Sequence, residues 1–126
     1  MIYGLGTDIV AVARLEKIWQ RHGQRFFSHL LAESEMQDIP ETGVPRFLAK
    51  RFAAKEAFAK AAGTGLRAPI TLTAVTVEHD ELGKPQLVFA PDVQQWLKER
   101  GIGSWHVSIS DEREMVVAVV ILERCS

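Results

Sequence analysis

The sequence predicts an α+β domain in which one long buried helix packs on an antiparallel sheet. Three observations predict it. Residues 45 to 62 carry apolar side chains over an arc too broad for a surface helix. Residues 70 to 89 read as a β-hairpin. Residues 105 to 122 read as two further strands joined by the acidic turn Asp111-Glu112-Arg113-Glu114.

The helix is the most distinctive element. Pro45 suits a first helical position and Gly63 a stop. Leu48, Phe52 and Ala59 fall on one stripe. Phe47, Ala54 and Phe58 fall on another, roughly 80–100° away at ~100° per residue, so the helix packs against more than one neighbour. Upstream, Ile2 to Val10 reads as a strand interrupted by Gly4 and Gly6. Ala11 to Arg21 has a helical period through Val12, Leu15, Ile18 and Trp19, with His22-Gly23 as its stop. Phe26 to Leu31 forms a helical turn, Ser34 caps a short helix through Glu35 and Met36, and Pro40 to Pro45 is a loop. Downstream, β-branched Ile70 to Val77 is a strand. Asp80 to Pro85 turns the chain into Gln86 to Phe89, and Pro91 to Arg100 is helical.

At 126 residues the chain is one domain, residues 1–126, with 47% hydrophobic and 25% charged residues. No run reaches the ~18 apolar residues of a membrane span. The N-terminus carries no basic leader, and a single cysteine, Cys125, has no internal partner for a disulfide, so a cytoplasmic, reducing setting is expected. Net charge is -1, but its signs are segregated. Arg14, Lys17, Arg21 and Arg25 face one acid, Glu16. Arg46, Lys50, Arg51, Lys55, Lys60 and Arg67 face one acid, Glu56. Such segregation describes either solvated helix faces or a basic surface that meets phosphate, nucleic acid or an acidic protein.

Asp8 follows Gly4-Leu5-Gly6-Thr7, and glycines so spaced let a backbone pass close to another group. Its carboxylate is either an N-cap for the next helix or a metal ligand. Phe52, Glu56 and Lys60 form one row on the long helix. Glu56 and Lys60 make either an i, i+4 ion pair, worth ~0.3–0.5 kcal/mol, or a site in which Glu56 and Asp8 share a metal and Lys60 neutralises a phosphate. Two carboxylates completed by water and phosphate suit Mg²⁺, and no Cys/His cluster suits zinc. His106 alternates with Val107 and Ile109 and shares its face with Ser108 and Ser110. That face is either a solvated strand side or a row of phosphate donors. No Walker-type loop or dinucleotide fingerprint is present. With one Tyr, and Phe residues at core spacing, a stacking platform for nucleic acid is not evident.

The pieces together resemble the bacterial holo-[acyl-carrier-protein] synthases. Gly4-Leu5-Gly6-Thr7-Asp8-Ile9-Val10 with Arg14 is similar to their opening motif. Arg51-Phe52-Ala53-Ala54-Lys55-Glu56-Ala57-Phe58-Ala59-Lys60-Ala61, followed by Gly63-Thr64-Gly65, is similar to their second. Gly83-Lys84-Pro85 and His106-Val107-Ser108-Ile109-Ser110 match two further segments in order, so the likeness runs from Ile2 to Glu123. It implies a 4'-phosphopantetheinyl transferase fold and a Mg²⁺-dependent enzyme of fatty acid biosynthesis. Such an enzyme moves the phosphopantetheine of coenzyme A onto a serine of apo acyl carrier protein and releases adenosine 3',5'-bisphosphate. By that likeness Asp8 and Glu56 hold the metal and Lys60 sits by the phosphate under attack. Arg51, His106 and Ser108 contact phosphate, Gly83, Lys84 and Pro85 border the adenine, and Arg14, Arg21 and Arg25 meet the carrier protein. The serine proton goes to Glu56, through a bound water, or to His106. A homotrimer with interfacial sites is implied, and the broad apolar arc of the long helix agrees with burial there. Neither nucleic acid nor membrane is expected as a partner. Many relatives carry a histidine where this chain has Asp111.

Overall fold

The computed structural model describes residues 1–125. Strand β1 (Ile2–Ala11) leads into helix α1 (Val12–His22) and the short α2 (Arg25–Leu30). A 3-10 turn over Glu33–Asp38 precedes the long helix α3 (Val44–Ala62). A second 3-10 turn (Leu72–Ala74) enters strands β2 (Val75–His79) and β3 (Pro85–Phe89). Helix α4 (Pro91–Glu99) and strands β4 (Ile102–Asp111) and β5 (Met115–Arg124) complete the chain. The strands form two antiparallel units, a three-stranded sheet in the order β1-β5-β4 and the separate hairpin β2-β3.

Helix α3 lies across the inner face of the three-stranded sheet. Its own Pro sits in the first turn, and Gly63 takes the left-handed conformation (φ 81°) that ends it. The helix meets β1 backbone to backbone. A Cβ placed on Gly4 would lie 1.9 Å from Ala61 O, and one on Gly6 would lie 2.0 Å from Ala57 O. The glycine spacing therefore serves helix packing, and β1 runs through both glycines. Ala57, Phe58, Ala118, Val120 and Leu122 are fully buried in the resulting core.

The sheet's two faces differ. Register pairs Gly6 with Val120 and Asp8 with Ala118 toward α3, whereas Leu5, Thr7 and Ile9 pair with Ile121, Val119 and Val117 on the outer face. His106, Ser108 and Ser110 pair with those same three β5 residues and share that outer face. Leu5 and Ile9 remain 60% and 62% exposed there.

Two expectations are corrected. Residues 70–74 are not strand, because β3 spans only five residues and pairs with Val75 to His79 alone. Ile70 and Ala74 instead close turns onto Arg67 O and Thr71 O. The short helix near Ser34 begins after Ala32, whose N–H donates to the Glu35 carboxylate at 2.8 Å. In addition, the apolar arc of α3 is buried within the same chain, against the sheet and α1, so it lends no support to a subunit interface.

Candidate active site

Asp8 projects from the inner face of β1 toward α3. It caps no helix, for the residue before α1 is Ala11, with no side-chain hydrogen bond. Lys60 comes from the last turn of α3 and donates to Asp8 Oδ1 and to Thr7 O, both at 3.0 Å. The i, i+4 ion pair of Lys60 with Glu56 is therefore not made; its partner is Asp8. Asp8 Oδ2 is left with no partner, alone among buried side-chain nitrogen and oxygen atoms of the described residues.

Glu56 sits on the same side of α3. Burial first, then the Asp8 charge, raises its carboxyl above the ordinary value, and the nearby Lys60 and Arg14 charges only partly offset this. Arg14, from α1, lies 5.3 Å above the Phe52 ring. Asp8, Glu56, Lys60 and Arg14 thus converge from three elements. Two half-buried carboxylates that repel each other, one of them with an orphaned oxygen, fit a hard divalent cation that completes its shell with water and phosphate oxygens. Among the described residues no group of three or more His, Cys, Asp or Glu side chains could hold a metal.

The other predicted residues occupy neighbouring clefts. One, of about 420 Å³, is lined by Arg46, Lys50, Arg51, His79, Gly83 and Pro85 among others. Burial first, then the Arg51 and Lys50 charges, lowers the His79 imidazole pKa, with Asp38 and Asp80 partly offsetting them. A second, of about 250 Å³, brings Lys84 and Pro85 to Trp105 and His106. His106 Nε2 lies 2.7 Å from Glu123, whose carboxyl is lowered by hydrogen bonds from His106 and Ser104. Within one chain His106 and Ser108 are on the sheet face opposite Asp8 and Glu56. Arg21 and Arg25 are exposed toward the far end of α1, Arg25 beside a cleft with Ile18, His22, Phe26 and His29. Asp111 pairs with Arg46 at 2.9 Å and with Lys50 at 3.4 Å, bracing the β4–β5 turn against α3.

Sequence reasoning missed Glu35 and Lys55. Both are fully buried, and Arg51 is nearly so. Glu35 accepts from Ala32 N, Val77 N, Arg51 Nη1 and Lys55 Nζ. Arg51 Nη1 also donates to Val77 O at 2.9 Å, and Lys55 Nζ to Leu30 O at 2.6 Å. The available signal was two cations at i, i+4 beside Phe47 and Phe58 on a helix already read as buried.

An α+β domain in which Asp8 and Glu56 approach each other, with Arg46, Lys50 and Arg51 lining a cleft, can accept a phosphorylated ligand. The 4'-phosphopantetheinyl transferase superfamily matches residues 4–120, and the chain belongs to that family. It is similar to the holo-[acyl-carrier-protein] synthase of Laribacter hongkongensis, 54% identical over 98% of this chain and 99% of that one. The enzyme of the same name from Dechloromonas aromatica is 56% identical over 98% of both. Among solved structures, the Neisseria meningitidis holo-[acyl-carrier-protein] synthase superposes with a TM-score of 0.94 at 44% identity, covering 98% of this chain and 100% of that one. The Bacillus anthracis enzyme, in complex with CoA (3',5'-ADP), gives 0.82 at 34% identity over 99% of each chain.

Proposed function

We propose that this chain transfers 4'-phosphopantetheine from coenzyme A to a serine of apo acyl carrier protein, in support of fatty acid biosynthesis in the cytoplasm. The products are holo acyl carrier protein and adenosine 3',5'-bisphosphate. The observation that carries the reading is the orphaned Asp8 Oδ2 beside a charge-strained Glu56, with Lys60 at 3.0 Å.

The serine oxygen forms a bond to the pantetheine-side phosphorus while the bridging oxygen of the pyrophosphate departs with the nucleotide. Such a reaction asks the protein mainly to position reactants and neutralise charge. Asp8 and Glu56 would hold Mg²⁺. When bound, the metal supplies positive charge to the pyrophosphate oxygens. Lys60 is half exposed and anchored by only two hydrogen bonds, so its ammonium can turn from Asp8 to a phosphoryl oxygen. Glu56, whose carboxyl is raised above its ordinary value, suits uptake of the serine proton through a water. Arg51, Gly83, Lys84 and Pro85 would take the nucleotide end in the clefts at the hairpin tip. Arg14, with Arg21 and Arg25 further along, gives the acidic carrier protein a basic row to dock on.

We further infer a homotrimer. His106 and Ser108 can serve the same substrate as Asp8 only if a second copy presents its outer sheet face to the first. The exposed Leu5 and Ile9, flanked by Val117, give that face an apolar contact surface. Incubation with coenzyme A, Mg²⁺ and apo acyl carrier protein should add one phosphopantetheine mass to the carrier protein. No gain while coenzyme A binds would overturn the reading. For the assembly, mixing inactive Asp8→Asn and His106→Ala chains should restore part of the activity; persistent inactivity would argue that each site is built from one chain.

A further inference from the structure

The buried Glu35 carboxylate lies outside the chemistry above, yet it is bound by a residue that reaches into it. All of the hydrogen bonds that Arg51 makes to Glu35, Asp38 and Val77 run from Nη1. The same side chain lines the 420 Å³ cleft with Lys50, Gly83 and Pro85, and a second cleft with Asp38 and His79. One edge of the guanidinium is thus clamped inward, and the side chain, only 6% exposed, still contributes to the walls of both clefts. Phe47 fixes its plane, with the ring 4.7 Å from the guanidinium carbon.

Glu35 also acts on the hairpin. β2 and β3 pair only with each other, so the second edge of β2 has no strand beside it. At Val77 that edge is completed by charged side chains: Glu35 accepts from its N–H at 3.2 Å and Arg51 donates to its C=O. The hairpin tip carries Gly83 to Pro85, the opposite wall of the cleft. One carboxylate therefore orients a cation on α3 and seats the strand leading to the facing wall.

We propose that Glu35 is a positioning residue for the anionic nucleotide end of coenzyme A, acting through Arg51 and Val77. The inference rests on the transfer reading above. Loss of its anion in Glu35→Gln frees the Arg51 edge and loosens the hairpin while leaving Asp8, Glu56 and Lys60 in place. The distinguishing signature is a split between kinetic constants. Glu35→Gln should raise the KM for coenzyme A, and the Kd for adenosine 3',5'-bisphosphate, by about tenfold, the weight of one oriented charged hydrogen bond. The kcat and the KM for carrier protein should change less than about twofold. Arg51→Lys keeps the charge but not the fork, and should give a similar rise. The double variant should be no worse than either alone. If Glu35→Gln does not fold, Glu35→Asp, which keeps the anion but draws it back from Arg51 and Val77, is read by the same coenzyme A KM and kcat. Unchanged constants for coenzyme A in a variant that transfers normally would overturn the positioning role. A wild-type chain that transfers nothing would instead sink the transfer reading.

Discussion

Helix α3 carries two charge clusters, and they are built on opposite plans. On one side Glu35 receives four donors, among them two cations, and both of its carboxylate oxygens are matched. On the other side Asp8 and Glu56 lie close enough to repel, with Lys60 and Arg14 nearby, and one Asp8 oxygen has no partner. Closed charge networks hold elements together, whereas an open one stores a cost that only a ligand removes. The first joins α2, α3, β2 and the intervening 3-10 turn. The second is the cluster proposed above for the chemistry.

Mutation should separate the two plans most sharply in stability. Glu35→Ala strands Lys55 and Arg51 as buried cations and should cost about 3–5 kcal/mol in chemical denaturation. Should it prove mild, water must already reach the cluster. Next in size, Asp8→Asn should lower kcat by about 10²- to 10³-fold with no loss of denaturation midpoint, because it removes a like-charge repulsion. A parallel loss of stability would mean that Asp8 belongs to the closed class.

Acid titration should drive the clusters in opposite directions. Glu35 is pushed up by burial, but the Lys55 charge and its hydrogen bonds outweigh this and leave the carboxyl below its ordinary 4.5. Its contribution is complete above that value and lost as pH falls through the lowered one. Glu56 lies above 4.5, so the native state keeps a proton the unfolded chain releases. Its effect is therefore a decline in stability as pH climbs from 4.5 through the raised value. Thermal melts of Glu56→Gln should lack that decline, and Mg²⁺ should abolish it. At 100-fold excess over its Kd, Mg²⁺ should stabilise the wild type by about 2.7 kcal/mol and leave Asp8→Asn unmoved. Smallest of all, Arg14→Ala should raise the carrier protein's KM a few-fold and flatten its salt dependence.

Much of this was legible beforehand, unevenly. The α3 boundaries followed from Pro45 and Gly63, and the polar row of β4 from its alternation. Asp8, Glu56 and Lys60 were found as a group, although which acid Lys60 pairs with depends on how β1 crosses the helix. The strand proposed from Ile70 failed because β-branched residues describe a conformation but cannot supply a neighbour to bond with. Lys55 was hidden because its hydrocarbon stem and charge read as surface until Glu35, twenty residues away, is known to be its partner. Residues 115 to 122 are almost continuously apolar, a signature of a strand covered on both faces.

Gly4 and Gly6 bring one last consequence. Where a strand and a helix touch through bare main chain, their separation is fixed by atoms common to all amino acids, leaving no side chain to trim or enlarge. The gap between Asp8 and Glu56 is thereby gauged by what Gly4 and Gly6 lack, and a single methyl added at either glycine would open it like a wedge under a door.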